Sequence, residues 1–103
     1  MAYVLRFVQH FRPADRGPFM ELEAKFAELE QRRVDFPKGR RLQPYAGREP
    51  TGTLIWESEF STLTQAQEAL ARIEGDSEHE KLFRQQAPYM TDAYTEIYEV
   101  LDF

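Results

Sequence analysis

The order of hydrophobic periods along the chain constrains its fold more than any other feature of the sequence. Side chains alternate as they do in strands within four segments, 3–11, 40–46, 53–60 and 94–101. A helical period runs from Pro18 up to Asp35, and a second helical region runs from Thr64 up to Pro88. Strand, helix, two strands, helix and strand is the order of a split βαβ arrangement, in which an antiparallel sheet carries both helices on one face. We therefore expect an α+β sandwich with a four-stranded sheet.

Alternation along the strands predicts which face of the sheet the helices cover. In the third strand, Leu54 and Trp56 alternate with Ile55 and Glu57, and successive strand side chains point to opposite faces. Leu54 and Trp56 form the more apolar set, so we expect Trp56 in the core beneath the helices. The other face mixes apolar side chains such as Ile55 and Tyr98 with charged ones, and would be left open.

The first helix is predicted to be amphipathic. Its apolar stripe is formed by Phe19, Leu22, Phe26 and Leu29. Its glutamates, including Glu23 and Glu30, are expected on the solvent-facing surface.

Capping motifs mark the starts of the later helices. Thr64 and Gln67 have the spacing of a capping box, in which a hydroxyl and an amide satisfy free backbone amides reciprocally. Ser77 and Glu80 repeat that spacing. We therefore expect a second helix from Thr64 and a short third helix from Ser77.

Size and charge limit the classes of partner. At 103 residues the chain has the usual length of one domain, which we expect to span residues 1–103. The net charge of −5 argues against a nucleic-acid surface, because affinity for phosphate comes from clustered Lys and Arg. There is no cysteine, and no segment has the hydrophobic length of a membrane span or the pattern of a signal peptide. We therefore expect a cytoplasmic protein that binds neither nucleic acid nor membrane.

The stretch between residues 54 and 83 resembles known domains in its pattern. Leu54-Ile55-Trp56 enters a strand that ends at Phe60, Ser61-Thr62-Leu63-Thr64-Gln65-Ala66 opens a helix, and Asp76-Ser77-Glu78-His79 opens the next. This run is similar to the dimeric α+β barrel superfamily, which has a ferredoxin-like fold, and most closely to NIPSNAP-like domains. The resemblance implies a ferredoxin-like βαββαβ sandwich that pairs into a homodimer. Related barrels include antibiotic-biosynthesis-type monooxygenases, haem-degrading enzymes and muconolactone isomerases, so the resemblance supplies no catalytic residue.

The open face of the sheet offers a candidate site. By alternation Arg6 and His10 share that face, and Arg41, Tyr45 and Glu57 are expected to join them from the next two strands. Arg6 and His10 would lie about 13 Å apart along the strand, which is the span of a small ligand. His10 is the first catalytic candidate because imidazole changes charge near neutral pH, and Glu57 is the second. Arg6, Arg41 and Tyr45 are the candidate ligand-binding residues, since arginine suits an anionic group.

Structural roles for the same residues remain open. A histidine at a strand end is commonly exposed or hydrogen-bonded to a neighbour, and Glu57 could pair across strands with Arg41 instead of acting as a base. His79 lies within Glu78-His79-Glu80, but adjacent helical residues point in different directions and match no metal-ligand spacing. There is no glycine-rich phosphate loop. We expect no cofactor and no metal.

These features predict a homodimer that binds or transforms a small, partly apolar molecule, such as an acidic or carbonyl-bearing aromatic compound, without a tightly bound cofactor. If the protein is an enzyme, the resemblance implies a cofactor-independent monooxygenase or isomerase-like activity. The alternative is a structural or regulatory dimerisation domain whose barrel interior is filled by side chains.

Overall fold

The computed structural model describes residues 1–103, and its secondary structure follows the predicted order. The strands are β1 (Tyr3–Phe11), β2 (Arg40–Leu42), β3 (Thr53–Phe60) and β4 (Met90–Glu99). The helices are α1 (Arg16–Arg32), α2 (Leu63–Glu74) and α3 (Ser77–Gln86). Short 3-10 turns at Pro13–Asp15 and Ala87–Tyr89 precede α1 and follow α3.

The strands form one antiparallel sheet in the order β2-β3-β1-β4. β1 lies in the interior of the sheet, where it pairs with β3 and β4, and β2 pairs with β3 at the edge. The helices pack on a single face, where Leu5 and Trp56 of the sheet meet Leu29 of α1, Ile73 of α2 and Leu82 of α3. The predicted ferredoxin-like α+β fold is confirmed, and Trp56 lies in the core as expected, with 6% of its surface exposed.

A second apolar cluster closes the core near the end of β1. Phe11, Phe19 and Leu54 are buried there, and the rings of Phe11 and Phe19 stack with centroids 4.4 Å apart. The backbone N–H of Phe11 donates to the Gly52 carbonyl at 2.9 Å. A side chain at Gly52 would collide with the Phe11 carbonyl oxygen, so glycine is required where β3 begins beside β1.

Two strands have bounds that differ from the prediction. β2 stops at Leu42, short of residue 46, because Pro44 has no N–H to continue the ladder. β4 begins at Met90, before residue 94, because its first residues pair with β1 across an irregularity between His10 and Phe11. The start of β4 is therefore set by backbone pairing with β1, which the alternation of side chains in the sequence does not reveal.

The capping box of α2 lies two residues before the predicted one. The Gln65 backbone N–H donates to Thr62 Oγ1 at 3.1 Å, and Gln65 Oε1 accepts from the Thr62 backbone N–H at 3.3 Å. The predicted pair of Thr64 and Gln67 is therefore wrong. Thr62 directly follows β3 and still has extended backbone angles, which is the geometry that an N-cap residue needs.

Asp76 caps α3 and also ties it to the end of α1. Asp76 Oδ2 accepts from the His79 backbone N–H at 2.9 Å, and Oδ1 lies 2.6 Å from Nη1 of Arg33. The predicted cap of Ser77 with Glu80 is wrong by one residue, since Ser77 is already helical. Burial opposes ionisation of Asp76, but the His79 amide and Arg33 outweigh it and hold the pKa of Asp76 below its usual range. This anchor fixes the first turn of α3, which carries His79.

Candidate functional site

Three of the five predicted site residues share the face of the sheet that the helices leave open. Arg6 lies opposite Glu57, with Nε and Oε2 3.2 Å apart, and its guanidinium lies over the Tyr98 ring, 5.5 Å from the centroid. Arg40 adds a second cation, since its Nη2 donates to Glu57 Oε1 at 2.7 Å. Glu57 is therefore held in cross-strand ion pairs with both arginines.

His10 lies further along the same face in a cluster with Glu49 and Tyr94. Its Nε2 is 2.7 Å from Glu49 Oε2, and its Nδ1 is 3.8 Å from Asp92 Oδ2. Tyr94 donates its hydroxyl hydrogen to Glu49 Oε1 at 2.8 Å. That bond raises the pKa of Tyr94 to about 12 and, together with His10, lowers the pKa of Glu49. These contacts anchor the loop between β2 and β3 to the open face of the sheet, and they give His10 a hydrogen-bonding partner in Glu49.

Arg41 and Tyr45 lie elsewhere, so the expected convergence of all five residues on the open face is wrong. In the observed register Arg40 is opposite Glu57 and Arg41 is opposite Trp56, which turns Arg41 toward the helices. A shift of one residue moves every side chain of a strand to the other face. Tyr45 lies in the loop after β2, and its side chain is 99% exposed.

A cavity of about 360 Å³ lies between the helices and the sheet. Its largest apolar wall residues are Phe7, Phe26, Phe36, Trp56, Leu70 and Phe83. This volume is within the range of small-ligand sites, and a cavity of about 150 Å³ already holds benzene. Polar side chains enter the same walls from Glu23, Glu30, Arg41 and His79. This cavity is therefore on the opposite side of the sheet from the predicted site.

Glu23, Glu30 and Arg41 form a buried charged network in the cavity wall. Arg41 donates from Nε to Glu23 Oε2 at 2.7 Å and from Nη2 to Glu30 Oε2 at 2.9 Å. The two glutamates are only 6% and 7% exposed. An unpaired buried charge is costly, so these carboxylates depend on their partners. One guanidinium faces two carboxylates, and the formal charge of the network is negative.

Trp56 and Gly39 complete the surroundings of Glu30. Trp56 Nε1 is 3.2 Å from Glu30 Oε2, to which it donates, and the Gly39 backbone N–H donates to Oε1 at 2.6 Å. The indole lies directly against Gly39, where any Cβ would collide with the ring. Phe7 stacks on the same indole with centroids 5.1 Å apart. Hydrogen bonding and packing together fix Trp56 as a rigid part of the wall.

Gln86 links the network to α3. It is fully buried, and its Nε2 donates to Glu23 Oε1 at 3.0 Å and to the Phe19 carbonyl at 3.3 Å. Gln9 Nε2 lies 3.5 Å from Gln86 Oε1. Each carboxylate oxygen of Glu23 and Glu30 therefore has a donor from the chain.

The imidazole of His79 also lines the cavity, but unlike the charged network it has no polar partner within the chain. Its ring centroid is 4.9 Å from that of Phe26 and 6.1 Å from that of Phe36, and neither ring nitrogen makes a hydrogen bond or ion pair within the chain. Burial lowers the pKa of His79 against the opposing pull of Asp76 and Glu80. The lowered pKa favours the uncharged ring at neutral pH, and a neutral imidazole has one acceptor nitrogen.

Two further properties of the molecule bear on its candidate sites. No group of three or more His, Asp or Glu side chains is arranged so that it could hold a metal ion. No helix combines the length and the hydrophobicity needed to cross a membrane. Apart from Tyr45, the candidate side chains are grouped in the cavity and on the open face of the sheet.

Solved structures share this architecture over nearly the whole chain. A NIPSNAP family protein from Agrobacterium tumefaciens superposes with a TM-score of 0.76 at 12% identity, covering 99% of this chain and 88% of its own. A NIPSNAP-like domain protein from Burkholderia xenovorans gives 0.75 at 16% identity, covering 99% and 87%. A proposed antibiotic biosynthesis monooxygenase from Caulobacter crescentus gives 0.76 at 11% identity, covering 98% and 91%. This chain has their ferredoxin-like fold.

The likeness is one of fold. No protein-family model matches the sequence, and no curated protein matches it. The predicted similarity to NIPSNAP-like domains is confirmed at the level of the fold. Identities of 11% to 16% do not transfer an activity, so function has to be inferred from the site.

Sequence reasoning missed the cavity, although one signal for it was present. Glu23 and Glu30 were expected on the surface of α1, yet both are buried on the side that carries Phe19 and Phe26. Glu23 follows Phe19 by four residues and Glu30 follows it by eleven, and both spacings place a residue on the same face of a helix as Phe19. Carboxylates within an apolar stripe require buried donors, and Arg41 is the cation that meets them.

Proposed function

We propose that this protein binds a small, neutral, largely aromatic molecule in the cavity between its helices and its sheet. The observation that carries the proposal is that the buried charged groups of the cavity are bonded to one another, while its apolar walls include the rings of Phe7, Phe26, Phe36, Trp56 and Phe83. Binding sites for small molecules typically have such apolar walls, with a few polar groups that orient the ligand.

The charges of the cavity favour a neutral ligand over an acidic one. The expectation of an acidic ligand depended on an arginine that was free to bind an anion, but Arg41 donates to both Glu23 and Glu30. A ligand carboxylate would meet the negative formal charge of this network in a region of low dielectric, where repulsion between like charges is strong. Neutral aromatic compounds avoid this cost.

The cavity supports a small-molecule role over a purely structural one. A structure with the same fold belongs to a proposed antibiotic biosynthesis monooxygenase, and enzymatic transformation of the bound molecule without a tightly bound cofactor is the catalytic form of this proposal. The alternative of a structural or regulatory domain concerns a barrel interior between two open sheet faces, filled by side chains. The cavity of about 360 Å³ lies beneath the helices instead, and it favours a binding role for that side of the sheet.

Ligand-dependent stability tests the proposal. Thermal unfolding is followed by circular dichroism with and without 1-methylnaphthalene and 1-naphthol, since a ligand that binds the native state at 100 times its Kd stabilises it by about 2.7 kcal/mol. Ala93 lines the solvent-exposed side of the cavity from β4, opposite Gln9, so Ala93→Phe should narrow the cavity and reduce the shift. Val34→Phe adds the same ring at a position that is 98% exposed and should leave the shift unchanged. A failure of all such compounds to stabilise the wild type would favour the structural alternative.

We infer further that two copies pair through their open sheet faces. Val4 and Tyr98 belong to this face, Tyr98 is 48% exposed, and neither belongs to the core clusters beneath the helices. A standard specific interface buries about 1,600 Å² in total and should survive micromolar dilution. Sedimentation should show a dimer that Tyr98→Glu dissociates and Val34→Glu does not. A monomeric wild type would contradict this inference.

A further inference from the structure

We propose that His79 selects the ligand of the cavity, its imidazole accepting a hydrogen bond from the hydroxyl group of a neutral hydroxylated aromatic molecule. This inference rests on the proposed function and adds to it the selecting residue and the ligand group. His79 was not among the candidate binding residues that the sequence indicated.

The carboxylates and the guanidinium of the buried network are already engaged. Each oxygen of Glu23 and Glu30 has a donor from the chain, and Arg41 donates to both residues. Glu74 and Glu80 also line the cavity, but both are exposed to water. A ligand hydroxyl against the aromatic walls therefore needs an acceptor outside this network. Gln9 and Thr95 line the cavity from β1 and β4, and His79 is the acceptor that packs against the rings of Phe26 and Phe36.

The ring of His79 is held where it can be that acceptor. The Asp76 cap and the Asp76–Arg33 ion pair fix the first turn of α3. Phe26 from α1 and Phe36 from the following loop pack against the imidazole. Apolar contacts position the ring while both of its nitrogens remain without a partner in the chain, so the group is preorganised for a polar contact with a ligand.

Burial favours the uncharged form of His79 over the opposing effect of the nearby carboxylates. Burial lowers its pKa, while the opposing carboxylate of Asp76 is paired with Arg33 and that of Glu80 is exposed. A neutral imidazole offers one acceptor nitrogen and one N–H. His79 is half-buried, and an aromatic ligand bound against its ring would remove the remaining water. A ligand that lacks a donor would then leave the acceptor nitrogen without hydration and without a partner.

A matched pair of compounds tests the role of His79. The compounds 1-naphthol and 1-methylnaphthalene have similar shapes, and only the first can donate a hydrogen bond. At pH 7 the wild type should bind 1-naphthol roughly threefold to tenfold more tightly, which corresponds to one net hydrogen bond. His79→Leu should remove this preference by weakening 1-naphthol alone, His79→Gln should restore part of it, and His10→Leu should leave it intact.

A spectroscopic signature separates hydrogen bonding from a merely structural effect. His10 and His79 are the only histidines, so their ring ¹⁵N signals can be assigned with the two single variants. In the wild type, 1-naphthol should move a His79 ring nitrogen signal, while 1-methylnaphthalene should move it much less. The His10 signals should not respond to either compound. This measurement needs no variant to retain ligand binding.

The outcomes distinguish the two proposals. Failure of every aromatic compound to bind would overturn the proposed function and this inference with it. Equal binding of the two compounds, a preference for 1-naphthol that survives in His79→Leu, or a His79 signal that ignores 1-naphthol would overturn the role of His79 alone. The cavity would then remain the binding site with a different selecting group.

Discussion

Replacing Arg41 by methionine removes the only cation of the buried network while keeping an unbranched apolar stem in place. The change leaves Glu23 and Glu30, whose side chains are 8% and 9% exposed, without their ionic partner. Removing one partner of a buried ion pair costs about 3–5 kcal/mol. The Arg41 side chain is itself 23% exposed, and solvent weakens the interaction, so we expect a loss of about 2–4 kcal/mol in the free energy of unfolding.

Urea unfolding followed by circular dichroism measures this loss, provided that the m value is unchanged. The neighbouring Arg40→Met is the matched control, since Arg40 pairs with Glu57 but its side chain is 73% exposed. We expect the control to lose less than about 1 kcal/mol, because exposed ion pairs contribute little. Equal losses in the two variants would refute both the burial of the network and the register that turns Arg41 toward the helices.

Three other substitutions probe the walls of the cavity. Gly39→Ala should destabilise the protein by about 1–3 kcal/mol and change the Trp56 emission spectrum, because the new methyl group collides with the indole. The control Gly17→Ala places its methyl group in open space, so it should neither destabilise the protein nor change the spectrum. Trp56→Ala should cost about 3–5 kcal/mol in urea unfolding, and a loss below about 1 kcal/mol would place the indole outside the core. His79→Gln should gain stability relative to the wild type as the pH falls from 7 to 5. The pKa of His79 in the folded wild type is depressed below its ordinary 6.5, so the unfolded wild type binds more protons in this range and the folded wild type loses stability as the pH falls. A difference in unfolding free energy between the two proteins that stays constant with pH would contradict this.

The fold could be predicted because its strongest signals are local and repeated. Leu54 and Trp56 alternate with Ile55 and Glu57, and this period fixes which face of β3 enters the core. The three residues of β2 gave no such signal. Arg40 and Arg41 are both charged, so no hydrophobic period chooses between the two faces, and pairing with β3 sets the register.

The candidate site depended on contacts between distant elements, which the sequence pattern does not encode. Glu23 and Glu30 are residues typical of a solvent-exposed helix face. Their burial depends on Arg41, which reaches them from β2 and pairs with both. The neighbours of His79 in the sequence raise only the possibility of a metal ligand, and they do not point to a cavity. Its position between Phe26 and Phe36 depends on how α1 and α3 pack.

Intermolecular NOEs between bound 1-naphthol and the protein test most directly whether the cavity is the binding site. We expect NOEs from the naphthalene protons to the rings of Phe26, Trp56 and Phe83, which line the cavity. We expect none to Val4 and Tyr98 on the opposite face of the sheet. NOEs to Val4 and Tyr98 with none to the cavity rings would contradict the proposal and place the site on the open face.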